Sequence, residues 1–283
     1  MSGWFLRSLQ ALMAKRKSRI QLRSGGDLDG LREAGSIAAD ILARTCALVR
    51  PGVTTGEIDR AAADLMSERS CKSAFLGYRG FPGRICISVN EEVVHGIGGA
   101  RELRDGDIVK IDVGILTRDG WVGDNAKTVP AGTLSADAAG LLAATEASLY
   151  AAIARAREGE RLSAVCSAVE NFVSPLGYTV VKQFVGHGVG RKLHEEPQVP
   201  NYWDPGEMAG RHFKNPHLEA GMVLAIEPMV NAGTEEVRIL ADKWTVVTAD
   251  QSFSAHFEHM VLITAGEPEI LTPRERQFAP VST

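Results

Sequence analysis

The chain has 283 residues, 31 Lys and Arg against 35 Asp and Glu, and a formal net charge of −4. Hydrophobic residues at 45% and charged residues at 23% are ordinary for a globular protein and exclude a disordered or fibrous one. No apolar run approaches the ~18 residues of a membrane span, and the charge balance gives no reason to expect specific DNA binding.

Residues 1–23 carry six basic side chains (Arg7, Lys15, Arg16, Lys17, Arg19, Arg23) and no acid. Trp4, Phe5, Leu6, Leu9, Leu12 and Met13 are spaced so that they could line one side of a short helix, but the basic cluster follows them, which is the wrong order for a signal peptide. Residues 1–19 are expected to be a flexible basic extension. A weak RNA or membrane anchor and a transit peptide are the alternatives. Residues 20–283 are expected to form a single folded unit.

Beyond the extension, apolar residues recur at helical spacing over 27–49 (Leu31, Ala34, Ile37, Ala38, Ile41, Leu42) and stop at Pro51-Gly52. A second helix starts at Thr54 or Thr55, with Glu57 placed to complete a capping box. Strands follow at 84–89, 107–116 and, after an Asp119-Gly120 turn, 121–129. Helices are predicted over 135–157 and 161–174, then strands at 179–184, 222–226, 237–240, 245–248 and 259–264. Residues 197–216 read as a loop rich in Pro, Gly and Asn. Cys46, Cys71, Cys86 and Cys166 form no CxxC pair or zinc-ribbon spacing, so they are expected to be buried, reduced thiols in a reducing compartment. The pattern is α+β without a linker between domains.

Two segments echo each other. Gly106 and Gly221 each precede an apolar strand that carries a carboxylate six residues on, Asp112 and Glu227. Carboxylates in apolar strands are costly unless paired or fully hydrogen-bonded. The hairpin around 117–120 brings Asp112 and Asp124 close to opposite each other, with the register open by a residue or two. Only Lys110 and Lys127 on those strands could neutralise them, so a metal ion is the economical answer. His187 in Gly-His-Gly-Val-Gly, Glu258 before His-Met-Val-Leu-Ile, and the lone His95 and His194 complete the set. Four carboxylates and an imidazole suit Mn, Fe, Co or Zn, singly or as a pair. Such ions activate water and stabilise an oxyanion, so the implied chemistry is hydrolysis.

These residues resemble the five metal ligands of type I methionine aminopeptidases: Asp112, Asp124, His187, Glu227 in Ile-Glu-Pro-Met-Val, and Glu258 in Phe-Glu-His. The resemblance runs from about residue 20 to 271. It is sharpest at Leu-Gly-Tyr-Arg-Gly-Phe-Pro (76–82), Cys-Ile-Ser-Val-Asn (86–90), His95-Gly-Ile and His-Glu-Glu-Pro-Gln-Val (194–199). It implies the pita-bread fold, two pseudo-twofold halves around a dinuclear site, and a cytoplasmic monomer. The enzyme would remove the N-terminal methionine from nascent polypeptides before a small uncharged residue, with a hydroxide held on two divalent ions (Co, Mn, Fe(II) or Zn). Nascent N-termini are the implied partners, with the ribosome as a candidate second one. In this resemblance Glu227 shuttles the proton, His194 contacts the scissile peptide, and His95 hydrogen-bonds the leaving nitrogen. Phe75, Tyr78, Phe81, Cys86, Leu193 and Trp244 form the methionine pocket. Phe75, Leu193, Val122 and His256 depart from the common pattern, and the loop over 201–215 is longer than typical. An X-Pro aminopeptidase or prolidase and a non-catalytic binding module of the same fold are the alternatives.

Overall fold

A computed structural model describes residues 20–278 except His212; the basic extension expected over 1–19 lies outside them. Two helices come first, α1 (Gly26–Cys46) and α2 (Thr55–Glu68). The six apolar residues spaced along α1 are all buried. Thr54 caps α2 as expected: its side chain accepts from the Glu57 N–H while the Glu57 carboxylate accepts from the Thr54 N–H. Strands β1 (Lys72–Ser73), β2 (Cys86–Val89), β3 (Glu92–Val94), β4 (Asp107–Leu116) and β5 (Val122–Ala131) follow, then helices α3 (Ala136–Ile153) and α4 (Leu162–Val173). The remainder is β6 (Thr179–Val180), β7 (Gly186–Gly188), β8 (Glu195–Val199), helix α5 (Pro205–Gly210), β9 (Val223–Ile226), β10 (Met229–Asn231), β11 (Val237–Ile239), β12 (Val246–Thr248), β13 (Ser254–His256), β14 (His259–Leu262) and β15 (Glu269–Ile270).

Two expectations need correcting. The stretch 197–216 is not all loop: β8 pairs with β7 and α5 is capped by Asp204. Pro197 hid that strand, yet β8 is the outermost strand of the order β15-β14-β9-β7-β8, where a missing N–H is tolerated. The strand expected over 179–184 stops at Val180, because the next residues leave the sheet to line a cavity described below.

The echo seen in the sequence is structural. β4 pairs with β5 in one unbroken antiparallel register, from Asp107↔Ala131 to Leu116↔Val122. β9 and β10 pair with β14 and β13 in one register too, from Val223↔Leu262 to Asn231↔Ser254. That ladder is interrupted at Glu227-Pro228, where proline has no N–H to give. Gly106 and Gly221 open the two ladders at φ 91 and 95, a left-handed conformation that suits glycine. Each donates its N–H at 2.9 Å to the far end of the partner strand, to the carbonyls of Ala131 and Ile263.

Superposing the two ladders matches Asp112 with Glu227, Asp124 with His256, Ala126 with Glu258 and Lys110 with Ala225. The halves meet at the equivalent pair, where the Glu258 N–H donates to the Ala126 carbonyl at 2.9 Å. Next to it the Thr128 hydroxyl donates to the His256 carbonyl at 2.7 Å and accepts from the His256 N–H at 2.9 Å. One apolar core packs α1 and α2 against β4 and β5, and a second packs α3 and α4 against β9, β10 and β14.

Helix α3 depends on the Ser135 hydroxyl, which accepts from the Ala138 N–H at 3.2 Å. Ser135→Ala leaves that N–H unpaired and is expected to cost about 1 kcal/mol. A thermal melt should show Tm lowered by about 2–4 °C, and an unchanged Tm would contradict the capping role.

Candidate metal centre

The β4–β5 register places Asp112 opposite Ala126 and Asp124 opposite Gly114. The two carboxylates therefore share one face of the hairpin and sit diagonally, two residues from direct opposition and within the register range the sequence left open. Side chains alternate across a strand, so Lys127 lies on the other face. Lys110 shares the carboxylates' face, but its ammonium donates to the carbonyls of Asn90 and Ser254 at 2.6 and 2.9 Å. Neither lysine neutralises the pair.

β7 brings His187 beside β9, with Ala225 as its partner. A Cβ on Gly186 would collide with the Ala225 carbonyl, and one on Gly188 with the Glu196 carbonyl. The flanking glycines thus serve backbone approach. His187 Nδ1 lies 3.0 Å from the Gly188 carbonyl, which as acceptor fixes the proton there and leaves Nε2 as the free lone pair. Nε2 is 3.8 Å from Asp124 Oδ2 and 3.5 Å from Glu227 Oε1. Donor atoms of Asp124, His187 and Glu258 all fall within 4.8 Å of one another.

Burial dominates the electrostatics. Asp124 and Glu258 are 3% and 2% exposed. Burial, and then the charge of neighbouring carboxylates, Asp112 among them, pushes Asp124, Glu227 and Glu258 well above the usual carboxylate range. Burial raises Asp112 to about 7, opposed by the neighbouring Cys86 thiol. Burial also lowers His187 to about 3, so the imidazole is neutral and its approaches to carboxylates are not ion pairs. Asp112 Oδ1, Asp124 Oδ1 and Glu258 Oε1 are buried without a hydrogen-bond partner. Unpaired carboxylate oxygens beside a neutral imidazole are the donor set a divalent cation fits, and the cation removes the repulsion.

The centre opens into a cavity of about 290 Å³. Its lining includes Asp112, Asp124, His187, Glu227 and Glu258, both His95 and His194, and Phe75, Tyr78, Phe81, Cys86, Leu193 and Trp244. Phe81 and Trp244 meet edge to face at 5.2 Å, and Phe75 lies on Gly114, where a Cβ would collide with its ring. His194 Nδ1 is 2.9 Å from the Tyr78 hydroxyl, which leaves its Nε2 for a ligand. His95 has φ 60, an uncommon backbone state for a non-glycine residue, and its ring meets Phe184 at 5.4 Å.

Several lining residues were not anticipated from sequence: Arg79, Gln183, Phe184 and Met229. Met229 lies two residues beyond Glu227 on the same ladder face, so the register would have revealed it. Phe184 carried no such signal, because it leaves its strand before reaching the cavity. His256, noted only as a departure, is 2% exposed with both ring nitrogens unpartnered, and Nε2 is 3.7 Å from Glu227 Oε2.

The profile of metallopeptidase family M24 matches residues 29–265. The chain is 47% identical to methionine aminopeptidase 1 of Bacillus subtilis over 246 residues, 87% of this chain and 96% of that protein. The crystal structure of a methionine aminopeptidase from Thermotoga maritima superposes with a TM-score of 0.85 at 38% identity, covering 90% of this chain and all of that one. A prolidase from Pyrococcus furiosus, at 20% identity and a TM-score of 0.72, covers 90% of this chain and 66% of its own, and shares the fold alone. The chain belongs to metallopeptidase family M24 and has its pita-bread fold. Within that family it belongs to the methionine aminopeptidases, of the bacterial type I.

Without a cation, folded Asp112 keeps its proton to about pH 7, whereas the unfolded chain loses it near pH 4. Folding then takes up a proton between these values, so this stability is present below about pH 4 and is lost as pH rises toward 7. EDTA-treated protein should therefore melt lower at pH 7.5 than at pH 5.5. Adding Mn²⁺ at pH 7.5 should raise Tm by about 5 °C or more. A chelated protein whose Tm is flat across that range and insensitive to divalent ions would contradict the assignment.

Proposed function

We propose that this chain removes the N-terminal methionine from nascent polypeptides, preferring a small uncharged second residue. The observation that carries the proposal is one cavity with an acid-and-imidazole cluster together with an apolar wall of Phe75, Phe81, Leu193 and Trp244. Aromatic rings suit a thioether, and the cavity they line measures about 290 Å³. Residues 20–283 would act as one catalytic unit, a monomer, in a reducing cytoplasm that suits its four free thiols.

Two divalent ions (Co, Mn, Fe(II) or Zn) held by Asp112, Asp124, His187, Glu227 and Glu258 would supply Lewis-acid activation of water and of the scissile carbonyl. Glu227 lies in the cavity, where burial and then the neighbouring carboxylates raise its proton affinity; with the ions bound it would take the proton from the attacking water and deliver it to the leaving nitrogen. His194, oriented by Tyr78, donates from Nε2 to the carbonyl oxygen as negative charge develops there. Burial lowers the pKa of His95 to about 4, so its imidazole is neutral and can hydrogen-bond the backbone on the leaving side. The apolar wall excludes water from around the methionine side chain and fixes the N-terminus relative to Glu227.

A grid of Met-Ala-Ser, Met-Lys-Ser and Ala-Pro-Ser peptides against Mn²⁺, Co²⁺, Fe²⁺ and Zn²⁺ tests the proposal. Met-Ala-Ser should be cut, the other two should not, and EDTA should abolish the reaction. Cleavage of Ala-Pro-Ser in preference to Met-Ala-Ser would favour a prolidase-like enzyme. In the same assay Glu227→Gln should lower kcat by about 100-fold or more while the protein stays folded; a rate near that of the parent would remove Glu227 from the proton-transfer role.

A further inference from the structure

Lys110 is 1% exposed and lies two residues before Asp112 on the same strand face. Among the described residues its ammonium has no carboxylate partner; it donates to the Asn90 carbonyl at 2.6 Å and the Ser254 carbonyl at 2.9 Å. Burial lowers the pKa of Lys110 to about 7, and an ammonium there is unfavourable unless hydrogen bonds replace its hydration. The equivalent position in the other half holds Ala225, so the ladder itself does not require a lysine there.

The two carbonyls mark where three segments converge. Asn90, at φ 57, forms the turn between β2 and β3, and its carbonyl also accepts from the Ser254 N–H at 3.1 Å. β3 ends at Val94, next to His95. Ser254 opens β13, which ends at His256, two residues before Glu258. One ammonium on β4 therefore ties the strand of Asp112 to the arm that presents His95 and to the arm that presents His256 and Glu258. The last of these belongs to the opposite half of the molecule.

We propose that Lys110 is a positioning residue: a tethered internal cation that fixes the spacing of β4, the β2–β3 turn and β13, and through them holds His95 and Glu258 in register with Asp112. The proposal rests on the function proposed above for its kinetic consequences, but not for the binding of a cation between the carbonyls.

Lys110→Ala removes the ammonium and leaves a carbonyl-lined space that a small ammonium ion can enter. Lys110→Met keeps the volume and offers no donor. Both variants should show kcat for Met-Ala-Ser lowered by about 10- to 100-fold, the scale of small misplacements, with KM changed by less than about threefold. Methylammonium chloride should restore Lys110→Ala saturably, by about fivefold or more. It should not restore Lys110→Met, and choline chloride at equal ionic strength should restore neither. In EDTA-treated protein, methylammonium should raise Tm of Lys110→Ala by about 3 °C and leave the parent and Lys110→Met unmoved.

Wild-type kcat in folded Lys110→Ala, absence of rescue, or equal rescue by choline would overturn the proposal. Should Lys110→Ala not fold, folded Lys110→Met decides: an unchanged kcat overturns the proposal, and a lowered kcat at the parental Tm supports it. A parent protein that fails to cleave Met-Ala-Ser would overturn the proposed function instead, and the methylammonium melt would still decide the role of Lys110.

Discussion

Four buried carboxylates converge on one cavity, and among the described residues no lysine or arginine side chain forms an ion pair with any of them. Asp112, Asp124, Glu227 and Glu258 each hold their protons more tightly than an exposed acid because ionisation there is opposed by burial, and for the last three also by neighbouring charge. Such a cluster is stable only if it stays protonated or if a cation enters. The rest of the site follows from that constraint. His187 is kept neutral with Nε2 free, and Lys110 binds carbonyls instead of the acids. What remains is a set of oxygen and nitrogen donors that stays neutral until a cation enters.

The fold produces this concentration of charge by repetition. Two antiparallel ladders of matching register bring Asp112 and Glu227 to equivalent places, and the halves join at Ala126 and Glu258. Repetition alone would give a symmetric site, and this one is not symmetric. The equivalent of Asp124 is His256, the equivalent of Glu258 is Ala126, and the equivalent of Lys110 is Ala225. The result is a cavity with distinguishable sides, an apolar wall on one and the acids on the other.

Much of this was legible in the sequence because the signals were local. The period of apolar residues in α1, the Thr54–Glu57 box and the Gly106 and Gly221 echo each report a backbone constraint that a few neighbouring residues settle. The clustered carboxylates of the two hairpins were legible for a related reason: a carboxylate inside an apolar strand is conspicuous. Features set by distant contacts were not. Pro197 concealed an edge strand, Phe184 enters the cavity only because its segment turns out of the sheet, and the diagonal placement of Asp112 and Asp124 depended on a turn whose register the sequence left open by two residues. Lys110 was read as a possible counter-ion for the carboxylates. Its actual partners, the carbonyls of Asn90 and Ser254, are brought together only by the tertiary fold.

The central claim is that the buried carboxylates are protonated until a divalent ion replaces their protons. Calorimetric titration of the EDTA-treated protein with Mn²⁺ at about pH 7, repeated in buffers of different ionisation enthalpy, counts the protons released on binding. The account predicts saturable binding with net release of protons, at least one per chain, and less release as the pH is raised. Absence of binding, or binding with no proton released at that pH, would contradict it.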